Sequence, residues 1–113
     1  MEIRCDFQPR QIVCLEHRDS CLYAEVIQVV ESRQVGWIRP LLLVECAFEN
    51  PANYDLRAIA DLLWPIALFR PALDTEVMPL LVQLLASEPP LDRDPVAFTQ
   101  LHQFIHQVWQ SQK

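Results

Sequence analysis

Apolar residues fall in short runs over the first half of the chain and at helical spacing near its end. Gln11 to Glu16, Leu22 to Val30 and Val35 to Glu45 are rich in Val, Ile, Leu, Tyr and Trp, and polar breaks at His17–Ser20 and Glu31–Gln34 separate them. This pattern predicts three sequential antiparallel strands. In the second, Tyr23, Glu25, Ile27 and Val29 share one face while Leu22, Ala24, Val26, Gln28 and Val30 share the other, so both faces are largely apolar. Such a sheet needs cover on both sides, by closure into a small barrel or by packed helices. Pro40 lacks an N–H and belongs at an edge or a bulge. Gly36, the only glycine, reads as a turn residue, with a bulge or a positive φ beside Trp37 as the alternative.

From Asn50 the pattern changes. Pro51 and Asn53 mark a loop, and a short helical or irregular segment is expected around Leu56 to Leu63. Pro65 and Pro71 break any long helix across Leu62 to Leu73, leaving a brief helix and a proline-bent connection. Val77, Leu80, Leu81, Leu84 and Leu85 then recur at helical spacing, with Asp74 as an N-cap and Glu76 near the positive end of the dipole. Pro79 within this helix predicts a distorted first turn or a later start. Ser87 to Asp94, with Pro89 and Pro90 adjacent, is a linker. Asp94 as N-cap and Pro95 at the first helical position open a final helix, and Ala97, Phe98, Leu101, Phe104, Ile105 and Val108 form its apolar stripe.

With 113 residues the chain fits one domain, 1–113, with a β-rich part over 1–50 and a helical part over 51–113. Hydrophobic residues at 51% against 21% charged ones exclude an intrinsically disordered class. The formal charge is −6, with the acidic excess spread over both halves and no basic cluster, so nucleic acid is not an expected partner. All basic residues but Lys113 are Arg, a bias compatible with planar contacts to protein surfaces. Cys5, Cys14, Cys21 and Cys46 lack C-x-x-C spacing and follow no secretory signal, which suits reduced thiols in the cytoplasm. The apolar run Leu62 to Phe69 contains Pro65 and falls far short of the ~20 residues that span a bilayer. No transmembrane segment is expected, although peripheral membrane contact through Trp64 and Phe69 stays open.

Candidate chemistry is sparse. His102 and His106 are four apart on the final helix and could share a divalent metal, but Gln103 stands where a zincin-type helix has Glu, and no third ligand is evident. Ordinary surface or interface histidines are the favoured reading. Ser20, Ser32, Thr75 and Thr99 lack a glycine-lined nucleophile elbow, and a single glycine cannot build a phosphate-cradling loop. Cys21 and His17 flank a hairpin turn, which explains their nearness without a catalytic dyad. Glu25 and Glu45 lie in apolar strands, where a cross-sheet ion pair with Arg39 or another arginine is the simpler expectation than acid–base work. No cofactor is implied.

The most suggestive segment is Pro95 to Gln112, which contains no Asp, Glu, Lys or Arg. A helix surrounded by water usually carries charge, so a bare one points to protein contact. Gln100, Gln103, His106, Gln107 and Trp109 are the candidate partner-binding residues, joined by Trp64 and Phe69 if the segment Trp64 to Pro71 is exposed rather than closing the end of the sheet.

Leu22-Tyr23-Ala24-Glu25-Val26-Ile27-Gln28, Trp37-Ile38-Arg39-Pro40-Leu41 and Leu73-Asp74-Thr75-Glu76 resemble the pattern of a small uncharacterised protein family of cyanobacteria. The resemblance implies a cytoplasmic or thylakoid-associated accessory protein of a photosynthetic organism and brings no catalytic residues with it.

The expected fold is α+β: an antiparallel sheet of three to four strands, with an SH3-like barrel as one form of it, followed by two main covering helices. The expected role is a non-enzymatic protein-interaction or assembly-accessory protein, with homodimerisation through the final helix as its simplest version. The alternatives are a small metal- or thiol-dependent enzyme using His102, His106 and a cysteine, and a peripheral membrane protein.

Overall fold

The structure, a computed structural model, describes residues 7–45 and 52–111. Cys5 and Cys46, as well as Asn50 and Pro51 of the expected loop, lie outside the described residues. The chain is α+β, an antiparallel sheet followed by two helices. Strands β1 (Ile12–His17), β2 (Ser20–Val30) and β3 (Val35–Glu45) form the meander that the apolar runs predict. Three short strands extend it: β4 (Ala52–Asp55), β5 (Leu62–Pro65) and β6 (Arg70–Pro71). Among the described residues the sheet therefore has six strands rather than three to four, and the second half of the chain is not wholly helical.

The sheet path is β4-β3-β2-β1-β6, with β5 also on β3. β3 divides its outer edge between two partners, pairing Leu42 to Glu45 with β4 and Val35 to Ile38 with β5. Backbone pairing explains why Leu62 to Pro65 is a strand and not a helix. Leu62, Leu63 and Trp64 face Ile38, Trp37 and Gly36, and Pro65 ends the strand, where its missing N–H disrupts least. A 3-10 turn, Ile66–Leu68, then leads to β6, which pairs Val13 with Pro71 and Cys14 with Arg70.

Two register shifts bend the β2–β3 pair, between Tyr23 and Ala24 and between Val26 and Gln28. The first falls beside Pro40, which pairs with Ala24, as a proline in a central strand requires. The bulged Leu41 offers its carbonyl to Leu56 N–H at 2.9 Å. The second reverses the face alternation, so Val29 packs with Val26 instead of opposite it. Gly36 is neither a turn residue nor at positive φ; the turn uses Gln34 in the left-handed region, φ 53°. At Gly36 the sheet passes so close to Ile66 that a Cβ would lie 2.7 Å from Ile66 Cδ1. A close approach, not backbone freedom, requires glycine there.

Helix α1 (Asp74–Ala86) covers one face of the sheet and α2 (Pro95–Ser111) the other. Under α1 lie Cys14, Tyr23 and Leu42 with Val77 and Leu84. Under α2 lie Val13, Leu15, Leu22, Ala24, Val26, Ile38 and Leu43, packed on Ala97, Leu101, Phe104 and Val108. Two-sided cover is what the doubly apolar strands demand. α1 begins one residue earlier than an Asp74 cap would place it: Leu73 is the N-cap, and its N–H donates to Glu76 Oε1 at 2.7 Å. The helix runs unbroken through Pro79, whose lost hydrogen bond would have ended on the carbonyl of exposed Thr75. α2 starts as its sequence predicts, with Asp94 Oδ1 accepting from Val96 N–H at 2.9 Å.

Candidate interaction groove

Between β5 and α2 runs a groove of about 510 Å³, lined by Leu63, Trp64, Pro65, His102, Ile105, His106 and Trp109. Each wall follows from local structure. The pairing of Leu63 with Trp37 leaves Leu63 on the outer side of the sheet, 68% exposed. On α2, Leu101, Phe104 and Val108 turn inward, so His102, His106 and Trp109 turn out along the β5 side. Trp64 and Trp109 meet edge to face, ring centroids 6.1 Å apart at 62°. β5 pairs with β3 alone among the described residues, so its second edge carries no strand ladder there.

Four residues named from sequence converge here: Trp64, His102, His106 and Trp109. Gln103 and Gln107 are exposed on the opposite flank of α2, Gln100 is half-buried, and none of the three lines the groove. Phe69 is 4% exposed and packs in the core under α2, so it belongs to the closed end of the sheet and not to a contact surface. His102 stacks against Phe98, centroids 4.2 Å apart, and Arg93 covers the same Phe98 ring at 4.1 Å. His106 Nε2 lies 3.1 Å from Gln110 Nε2. No third His, Cys, Asp or Glu joins His102 and His106 among the described residues. His17 faces α2, edge to face with Phe104 at 6.3 Å, whereas Cys21 lies on the α1 side, so they form no dyad.

Arg39 is the register partner of Glu25, but its ion pair is with Asp61 at 3.1 Å. Asp61 also accepts from Trp37 Nε1 at 2.8 Å and so holds the 56–61 segment against β3.

The sequence reading missed a second surface. Met78, Val82 and Leu85 form an exposed apolar stripe on α1, with Leu85 73% exposed. Its signal was present, since Val77 to Ala86 contains no charge, but the helical spacing places Leu85 with the core stripe and leaves Met78 and Val82 out of it. α1 has an apolar residue on nearly every side, and the sheet can bury only one of them.

Titratable groups concentrate at the edge between β1, β6 and α1. Arg70 Nε donates to Glu16 Oε1 at 2.7 Å, with Nη2 on the same oxygen, and Nη1 donates to Glu76 Oε1 at 2.6 Å. The guanidinium holds Glu76 well below the usual carboxylate range, at about 2, helped by the Leu73 N–H and the Tyr23 hydroxyl. The Tyr23 hydroxyl donates to Glu76 Oε2 at 3.1 Å, and burial pushes its own pKa up. Burial also raises the Cys14 thiol, which shares a hydrogen bond with Cys21. On the far side of α1, Arg57 grips Asp55 through Nη2 at 2.8 Å and donates to Ser87 O at the helix C-terminus at 3.1 Å. Burial pushes Asp55 up, but the hydrogen bonds from Arg57 outweigh it and leave the carboxyl below its ordinary value.

Compared with known families, curated proteins and solved structures, the chain matches none. No helix among the described residues is long and apolar enough to cross a membrane.

Proposed function

We propose that the protein is a non-enzymatic interaction module that receives a protein partner in the groove between β5 and α2. The observation that supports this most is the convergence of Trp64, half-exposed Trp109 and exposed Leu63 on one open cleft. Aromatic residues beside an unpaired strand edge offer both large apolar contact area and backbone hydrogen-bonding groups to an incoming chain. Among the described residues the groove walls contain no Asp, Glu, Lys or Arg. Docking there would strip no formal charge from water.

Self-association is the simplest version, with the α2 face of one copy against the groove of another. A cytoplasmic accessory role in assembling a larger complex, photosynthetic in line with the cyanobacterial resemblance, extends the same reading to a different partner. The sheet order supports an SH3-like architecture for the module: a three-stranded meander, short strands on its third member, a 3-10 turn, and a last strand returning to the first.

Sedimentation velocity over a micromolar concentration series tests self-association. Wild type should form a dimer, Trp109→Glu should be monomeric, and Gln103→Glu/Gln107→Lys on the other flank should behave as wild type. Monomer profiles for all three reject self-association. Loss of the dimer only in the glutamine variant moves the contact to the outer flank of α2.

A further inference from the structure

The hairpin of β1 and β2 assembles a ligand set that linear spacing hides. Cys21 is the register partner of Glu16, and Cys14 sits two residues before Glu16 on the same strand, opposite Tyr23. Side chains two apart share a face, so both sulfurs and the carboxylate project together toward α1. One ligand atom from each of Cys14, Glu16 and Cys21 lies within 4.8 Å of the other two. Both Arg70 bonds to Glu16 end on Oε1, and Oε2 has no hydrogen bond among the described residues.

We propose that Cys14, Cys21 and Glu16 bind one zinc-class divalent cation through two thiolates and a carboxylate oxygen. The donor set selects the ion. Hard cations such as magnesium and calcium take oxygen ligands, whereas two sulfurs favour a borderline or soft metal. Charge narrows the choice further. Cysteine thiols are ordinarily protonated near neutral pH, and these two stand with Glu16, Glu76 and Arg70. Binding breaks two S–H bonds, releases both protons to solvent and forms two metal–sulfur bonds and one metal–oxygen bond, with no change of oxidation state. A dication replacing two protons leaves the local charge as it was, while a monovalent soft ion would add one negative charge beneath α1.

Arg70 acts as a positioning residue. It fixes the Glu16 carboxylate by Oε1, and its positive charge beside Cys14 works against the larger effect of burial, which raises that thiol. Cys14 is fully buried, whereas Cys21 is half-buried and Glu16 exposed, so an ion can enter from the β1–β6 edge and retain a water as a fourth ligand.

The test uses the full chain carrying Cys5→Ser and Cys46→Ser, reduced and freed of metal, with Zn²⁺ and Co²⁺ as probes. One ion per chain is expected, with a thiolate-to-Co²⁺ charge-transfer band. Affinity should rise by up to ~100-fold per pH unit while both thiols remain protonated, the signature of two released protons. Cys21→Ser should abolish the band while circular dichroism and the apo melting temperature show a retained fold. Glu16→Gln should keep the band and weaken binding ~10-fold or more. No binding at micromolar metal, binding unchanged by Cys21→Ser, binding only when Cys5 and Cys46 are present, or a native Cys14–Cys21 disulfide seen by mass would each overturn the proposal.

Discussion

Arg70 on β6 donates to Glu76 in the first turn of α1 at 2.6 Å, and the same guanidinium holds Glu16 on β1. One side chain thus joins two strands to the helix that covers them. The arrangement makes stability depend on acid. Glu76 has an ordinary value of 4.5 and sits near 2 in the folded protein, so its contribution is complete above about 4.5 and disappears as pH falls toward 2. Because the group is partly exposed, the loss should be only about 1 kcal/mol. Urea midpoints measured from pH 6 to pH 2 should fall more steeply for wild type than for Glu76→Gln. Parallel curves would count against this role.

At Gly36 the strand backbone lies close against the Ile66 side chain. Gly36→Ala should destabilise by about 1–3 kcal/mol, because the new methyl drives against fully buried Ile66. Ile66→Val removes the obstructing Cδ1 and on its own should cost about 0.5–1.5 kcal/mol. The double variant should therefore be more stable than the sum of the two effects by roughly 1 kcal/mol in a double-mutant cycle. Strict additivity would place the strain elsewhere.

Leu101 and Leu85 look alike in a helical wheel but differ in surroundings. Leu101 is fully buried beneath α2, and Leu101→Ala should cost about 2–5 kcal/mol in chemical denaturation. Leu85→Ala, on the exposed stripe of α1, should stay within about 0.5 kcal/mol of wild type. Replacing Met78, Val82 and Leu85 together by Gln should reduce binding of a hydrophobic dye without lowering the melting temperature by more than a few degrees.

Asp61 receives hydrogen bonds from both Trp37 and Arg39. Both donors are exposed, so Asp61→Ala should cost less than about 1 kcal/mol. The environment of the Trp37 indole should nevertheless change, with altered native-state tryptophan fluorescence and faster proteolysis within residues 56–61. Unaltered emission and cleavage would mean that this anchor does not hold the segment.

The long elements were legible because their own residues determine them. Strands β1 to β3 follow from doubly apolar runs, and α2 follows from the Asp94-Pro95 start and a regular stripe. The short strands were not legible, since Leu62 to Pro65 is extended only because β3 presents an edge to it. The same holds for Gly36, whose reason is a neighbour thirty positions away. Of the candidate groove, Trp64, His102, His106 and Trp109 could be named in advance, but Leu63, Pro65 and Ile105 could not be assigned to it without the β5–α2 juxtaposition. The absence of charge that marked α2 also holds for Val77 to Ala86 of α1, where proline and dense leucine suggested core packing. Cys14, Glu16 and Cys21 stayed hidden because strand register, not linear spacing, brings them together.

The pairing of β6 with β1 also dictates an order of events as the chain folds. Val13 and Pro71 close the longest loop in the sheet, and loop-closure entropy favours the local hairpins forming before it. The β1–β2–β3 meander forms from neighbours and can serve as a template early. Its first strand keeps one open edge until the β6 segment arrives. During synthesis, that edge is the place where a nascent chain could pair with the wrong neighbour, and prompt docking of Arg70 shortens the exposure.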